Sequence, residues 1–140
     1  YKAEKVRELL YDAVSLLARA TNCASFATTP DNPRSFFLGL SNVLRQPEFS
    51  SNTIRACEVI EILERSDNFI KTLTSLEITD SVRTFIGDEN ILPQIQSCSI
   101  IVSKYNKDGF DGFIGLLGQK RMDYAYNIVL IEEIKKLLER

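Results

Sequence analysis

The sequence predicts a two-layer α+β domain: an antiparallel sheet with the N- and C-terminal helices packed on one face and a helical segment in the middle of the chain. Three observations point there. Both ends carry apolar residues at spacings of three and four, and the middle third has the same helical pattern with Pro and Asn at its breaks. The stretch after Asp80 instead holds three short β-branched and aromatic runs separated by turn residues. At 140 residues and 44% hydrophobic, the chain fits a single domain, residues 1–140.

Val6, Leu9, Leu10, Ala13, Val14, Leu16, Leu17 and Ala20 fall on one face of an opening helix. Thr21-Asn22 breaks that period, and Cys23 to Thr29, with Phe26 at its centre, reads as a strand bounded by Pro30 and Pro33. Asp31-Asn32-Pro33 has the form of a helix start, because Asn32 can cap free N–H groups and Pro33 suits the first helical position. That helix would carry Phe36, Phe37, Leu40, Val43 and Leu44 and stop at Pro47. Asn52 or Thr53 opens a third helix with Ile54, Cys57, Val59, Ile60, Ile62 and Leu63 as its apolar face. A turn near Ser66-Asp67-Asn68 leads into a shorter helix through Phe69, Ile70, Leu73 and Leu76.

Val82 to Ile86, Ser99 to Lys104 and Gly112 to Leu117 are the predicted strands after Asp80. Gly87-Asp88, Pro93 and Asn106-Lys107-Asp108-Gly109 lie in the loops between them, and the last two strands form a hairpin. The closing helix is expected to bury Tyr124, Ile128, Val129, Ile131, Ile134, Leu137 and Leu138 and to turn Glu132, Glu133, Lys135, Lys136 and Glu139 to solvent.

Lys and Arg number 17 against 19 Asp and Glu, so a net charge of −2 offers no field for a polyanion and direct nucleic-acid binding is disfavoured. Cys23, Cys57 and Cys98 are far apart within apolar stretches and read as buried, reduced thiols of a cytoplasmic protein, with no disulfide framework or CxxC metal site. No apolar run approaches the ~18–20 residues of a membrane span, and no signal-peptide pattern opens the chain. There is no His, which removes the usual general base, the common metal ligand and every Ser-His or Cys-His nucleophile. The expectation is a non-enzyme without cofactor or metal. Asp88-Glu89 leaves carboxylate chemistry formally open, although a polar turn explains the pair better.

Gly109, Gly112, Gly115 and Gly118 match no phosphate-loop pattern and fit a tightly packed hairpin. Lys120 and Arg121 precede the last helix, where two cations and free backbone donors could hold an anion. The competing reading is a solvated loop whose Arg pairs with an acidic neighbour. Phe36, Phe37, Phe49 and Phe69 suit either a partner surface or the core, and aromatics spaced along helices usually pack inward. The chain opens at Tyr1-Lys2-Ala3-Glu4, already inside a helical pattern and without an initiator Met, as a fragment of a longer protein would.

Four segments in order resemble one family. Gly39-Leu40-Ser41-Asn42-Val43-Leu44-Arg45-Gln46-Pro47-Glu48-Phe49 is similar to the GLSNLL-x-QPEF stretch of HrcA, the bacterial heat-inducible transcription repressor. Ile86-Gly87-Asp88-Glu89-Asn90, followed by Cys98-Ser99, resembles its IG-x-EN…CS segment. Gly115 to Tyr124 resembles G-x-(I/L)-G-P-T-RMDY at the entry to the closing helix, with Arg121-Met122-Asp123-Tyr124 intact and Gln119-Lys120 in place of Pro-Thr. Leu17-Ala18-Arg19-Ala20-Thr21-Asn22 is similar to the L-A-x-x-T-N helix that opens the same region.

The resemblance implies a GAF-like regulatory domain that supports a dimer, belonging to a repressor of the CIRCE operator that a GroEL-type chaperonin keeps active. DNA would then be contacted only through a winged-helix domain that is not among these 140 residues. Two alternatives stand beside this reading: a small-molecule-sensing GAF-like domain, and a stand-alone interaction module. Within the family pattern, Met122 and Tyr124 are expected in the core and Arg121 is expected to orient the turn. Thr28-Thr29-Pro30 also runs almost directly into Phe36-Phe37-Leu38-Gly39, where the family carries several dozen residues with strands and an inserted dimerisation element. That shortening bears on the dimer contacts and on the completeness of the sheet.

Overall fold

The computed structural model of the chain describes residues 2–29, 35–79, 81–89 and 96–140. Helix α1 (Lys2–Thr21) leads into strands β1 (Ala24–Thr28) and β2 (Ser35–Leu38). Four helices follow, α2 (Leu40–Leu44), α3 (Pro47–Ser50), α4 (Thr53–Glu64) and α5 (Ser66–Ser75). Strand β3 (Arg83–Ile86), the hairpin of β4 (Cys98–Lys107) and β5 (Phe110–Gln119), and helix α6 (Tyr124–Leu138) complete the chain. The five strands form one sheet in the order β2-β1-β5-β4-β3, each neighbour antiparallel. The α+β class predicted from the sequence is the one observed.

The strands sort their side chains with a period of two. Along β4, Cys98, Ile100 and Val102 join a cluster with Phe49, Val59, Phe69 and Leu73 of the middle helices. Ile101 and Tyr105 face the other way, onto Val6, Leu10, Val14 and Leu17 of α1 and Ile131, Ile134 and Leu138 of α6. The terminal helices therefore share one face of the sheet, as expected, but the middle helices cover the opposite face, so the domain has three layers and not the two expected. With both faces covered, all five residues of β1 are buried and its alternation disappears from the sequence.

Three polar side chains in the middle of the sheet, Ser25, Thr28 and Tyr105, find partners across the strands. The Tyr105 hydroxyl donates to the Thr28 carbonyl at 2.8 Å, the Thr28 hydroxyl accepts from the Phe113 N–H at 2.9 Å, and the Ser25 hydroxyl donates to the Gly115 carbonyl at 3.2 Å. A turn of Asp108 and Gly109, both at positive φ (53° and 85°), closes the hairpin. Both hairpin strands run beyond their predicted limits because ten cross-strand pairs, Cys98 with Gln119 through Lys107 with Phe110, continue right up to that turn.

Several expectations are corrected. No helix carries Phe36 and Phe37: Ser35–Leu38 pairs with β1 in register, Phe37 opposite Phe26, and the next helix begins only at Leu40. Aromatic residues suit a strand, and pairing with β1 supplies backbone hydrogen bonds that an isolated helical turn would have to supply alone. The proposed start at Asp31-Asn32-Pro33 lies outside the described residues, as does Pro93. Pro47 stops α2 but also takes the first position of α3. Helix α4 begins where expected, with the Asn52 side chain accepting from the Arg55 N–H at 3.1 Å. Its apolar face is narrower than expected: Val59 and Ile62 are buried, whereas Ile54 and Cys57 are exposed and Ile60 lies at the surface.

The same holds for the terminal helices. Leu9, Leu16 and Ala20 of α1 and Val129 and Leu137 of α6 face outward, because a sheet covers only one side of each helix. Asn127 is buried in α6 instead, its amide donating to the Met122 sulfur at 3.4 Å. Phe49 and Phe69 are fully buried, while Phe36 and Phe37 are half-buried. Among the described residues, no helix is long and apolar enough to cross a membrane.

Gly115 sits where the middle of the sheet is tightest: a Cβ there would lie 2.2 Å from the Ile101 carbonyl oxygen and 2.8 Å from the Phe26 ring. Gly115→Ala is expected to lower stability by about 2–3 kcal/mol through overpacking, read as a fall in the denaturant midpoint. Burial pushes the Cys98 thiol from 9.0 to about 12, outweighing a hydrogen bond to Ser97, and pushes the Tyr105 hydroxyl from 10.0 to about 12, outweighing its bond to Thr28. Both groups hold their proton longer folded than unfolded, so stability should be level below pH 9 and fall as the pH rises towards 12. Unfolding titrations at successive pH values check this. Cys98→Ala should remove the part of the fall that begins near pH 9, and Tyr105→Phe the part that begins near pH 10.

Candidate functional site

The four segments singled out in the sequence meet at one end of the sheet, where β5 leaves it and enters α6. Sequence separation hides this completely, since Glu48 and Arg121 are 73 residues apart. The Arg121 guanidinium forks onto both oxygens of Glu48, Nε to Oε2 at 3.0 Å and Nη2 to Oε1 at 3.1 Å, and also donates from Nη2 to the Gln46 side-chain oxygen at 2.8 Å. Planar, five-donor geometry is what lets one Arg hold a carboxylate and an amide together. The Arg121 side chain is 58% exposed and that of Glu48 28%, so solvent screening keeps the energy of this pair small; what it fixes is geometry.

Burial acts to raise the Glu48 pKa, but the hydrogen bond from Arg121, a backbone hydrogen bond and the charges of Arg121 and Arg55 outweigh it, and the carboxyl is held below its ordinary range. Asp123 caps α6, its side chain accepting from the Tyr126 N–H at 3.2 Å. Met122 is buried against α1 and α6. Tyr124 is half-buried; its hydroxyl shares a 2.7 Å hydrogen bond with Ser99 and donates to the Lys120 carbonyl.

Gly39, at φ 77°, precedes α2, and a Cβ there would lie 2.9 Å from both the Ala18 methyl and the Cys23 carbonyl. That closeness lets the Asn42 amide reach the Cys23 carbonyl at 3.1 Å and the Ala18 carbonyl at 3.4 Å. Ser41 is exposed and accepts from Arg45 at 3.4 Å. Phe49 is a core side chain behind Pro47 and Glu48. Gly87 lies under the Lys120 stem, 3.0 Å from where its Cβ would be, and Glu89 accepts from the Ile86 N–H at 2.6 Å. Asn90 lies outside the described residues.

Lys120 and Arg121, the candidate anion contacts, are thus placed differently: Arg121 is engaged with Glu48 and Gln46, and Lys120 extends past Gly87. Gln46 belongs to this cluster although the sequence marks it only as part of the Gly39–Phe49 segment; its side chain bonds on both sides, to Arg121 and to the Asn42 carbonyl at 3.3 Å. Among the described residues, no group of three or more His, Cys, Asp or Glu is placed to hold a metal ion.

A second feature lies on the opposite face. Leu9, Ala13 and Leu16 of α1 and Ile134, Leu137 and Leu138 of α6 line an open, mostly apolar groove of about 170 Å³. Leu9, Leu16 and Leu137 are 43%, 44% and 54% exposed, a concentration of apolar surface on two adjacent helices. The sequence carried a signal of it: the apolar stripe of α1 is wider than one face of a sheet can cover. Between the sheet and the middle helices, by contrast, the Phe26, Phe37 and Phe69 rings fill the space, with centroids 5.0 to 5.6 Å apart.

Residues 31–128 match the family model described as the HrcA protein C terminal domain. The chain is 33% identical over 135 residues to the heat-inducible transcription repressor HrcA of Geobacter sulfurreducens, covering 95% of this chain and 38% of that protein. It is 35% identical over 103 residues to HrcA of Desulforamulus reducens, covering 73% and 29%. The chain therefore spans less than two fifths of the length of these relatives. A solved crystal structure of a hypothetical protein superposes with a TM-score of 0.79 at 14% identity, over 96% of this chain and 69% of that one, and shares the fold. With the signature residues gathered at the sheet end and the match spanning most of its length, the chain belongs to the HrcA C-terminal domain family.

Proposed function

We propose that this chain is the regulatory, self-associating part of a heat-inducible transcription repressor, non-catalytic in itself, which acts on DNA through another part of its protein. The observation that carries the reading is the exposed apolar groove between α1 and α6. Two copies of such an apolar surface can bury it against each other about a two-fold axis, the arrangement most homodimers use. A dimer held there would fix the separation of two DNA-reading heads, which must match half-sites about 34 Å or a multiple of it apart. The net charge of −2 agrees with leaving the DNA contact to another part. A GroEL-type chaperonin as a further partner rests on the family resemblance alone, and a place in the cytoplasm rests on that resemblance and on the cysteines read as reduced thiols.

The test is the association of the chain itself, followed by light scattering after size exclusion over a wide concentration range. A concentration-dependent dimer is expected, and Leu9→Lys or Leu137→Lys should raise its dissociation constant at least about tenfold by placing a charge in the apolar contact. Because both side chains already face solvent, the folded monomer should keep its unfolding midpoint. A strict monomer at every concentration, or a dimer that both charges leave intact, would remove the self-association role from this surface.

A further inference from the structure

The polar contacts at the sheet end run as one series, a strap, from the last turn of α1 to Arg121, which the chain joins to the cap of α6 two residues on. At one end, the Asn42 amide donates to the Ala18 carbonyl at 3.4 Å, in the last turn of α1, and to the Cys23 carbonyl at 3.1 Å, where the chain turns into β1. The Ala18 carbonyl also accepts from the Asn22 N–H at 3.1 Å, so this is the hydrogen bond that ends α1. In the middle, the Gln46 side-chain nitrogen donates to the Asn42 carbonyl while its oxygen accepts from Arg121. At the other end, Arg121 also grips Glu48 and stands two residues before Asp123, the cap of α6.

We propose that this strap is a coupling device: Asn42, Gln46 and Arg121 are positioning residues that tie the last turn of α1 to the first turn of α6 by way of α2 and α3. The helices α1 and α6 lie on one face of the sheet and α2 and α3 contribute to the cluster on the other. The packed sheet between them transmits only what its close contacts allow, whereas the strap passes around its end. Gln46 is the link that makes the two halves dependent. Its amide is a single planar group bonded at both ends, so turning it to follow Arg121 pulls on Asn42, and the reverse. A contact made on the α2–α3 surface would thereby shift α1 relative to α6 and alter the groove that they line. The consequence for self-association rests on the function proposed above; the coupling itself does not.

Amide hydrogen exchange on the whole chain, at concentrations where it is monomeric, separates the two. Arg121→Ala is expected to speed exchange of Asn22, whose N–H closes the last turn of α1, by at least about threefold, and Asn42→Ala to do the same for Asn127 in the first turn of α6. Neither variant touches the amide that it would release. The two effects should combine less than multiplicatively in the double variant, and that non-additivity should vanish once Gln46→Ala removes the link. Arg121→Lys, which keeps the charge but loses the fork, should show a smaller change at Asn22 and serves if the alanine variant folds poorly. Exchange changes confined to α3 and the β5–α6 turn, with Asn22 and Asn127 unmoved, would overturn the coupling. If Asn22 and Asn127 respond but charged substitutions at Leu9 and Leu137 leave association unchanged, the strap stands and the assignment of the groove falls.

Discussion

The fold depends on how closely β1, β5 and β4 can approach while helices press on both of their faces. Phe26 of β1 leans over Gly115 of β5, and Gly115 in turn lies against the Ile101 carbonyl of β4, leaving no room for even one methyl group. From that contact the two cores grow in opposite directions, one around the Phe26, Phe37 and Phe69 rings towards the middle helices and one mainly aliphatic, with Tyr105 in it, towards α1 and α6. The polar groups caught between, Ser25, Thr28 and Tyr105, bond across strands rather than to water, as burial on both faces requires.

At the end of that sheet, the residues that mark the family have two different tasks. Met122 and Phe49 fill the cores, and Gly39 and Gly87 allow close approach; these are packing roles. Arg121, Glu48, Gln46 and Asn42 are different, because a run of directional bonds needs each of these side chains at its own place. The exchange of the family's Pro-Thr for Gln119-Lys120 falls just outside that run. It leaves Arg121 to Tyr124 unchanged, and the turn into α6 is held by the Asp123 cap and by Tyr124 bonded to the Lys120 carbonyl.

What was legible in advance follows from physics that acts over short stretches of chain. The Asn52 cap, the hairpin turn at Asp108-Gly109 and the core stripes of α1 and α6 are local, and the sequence shows them directly. Where reading failed, a tertiary partner had overridden a local pattern. Phe36 and Phe37 lie in a strand because β1 offers an edge to pair with, and Cys57 and Ile54 are exposed because they lie off the side of α4 on which Val59 and Ile62 reach the core. The width of an apolar stripe also proved ambiguous, since a residue such as Leu137 has the same spacing whether it meets the sheet or the solvent.

By itself, then, the sequence determined the class of fold, the helices at both ends, the hairpin and the family, because periodicity, turn chemistry and ordered motifs are all written along the chain. Only the tertiary structure decided that the middle helices cover the second face of the sheet, that two leucine-bearing helix faces are left over, and that Arg121 reaches back to Glu48 and Gln46. The physical reason is that hydrogen bonds and burial between distant segments depend on where the sheet brings them, and no spacing along the chain encodes a contact across 73 residues.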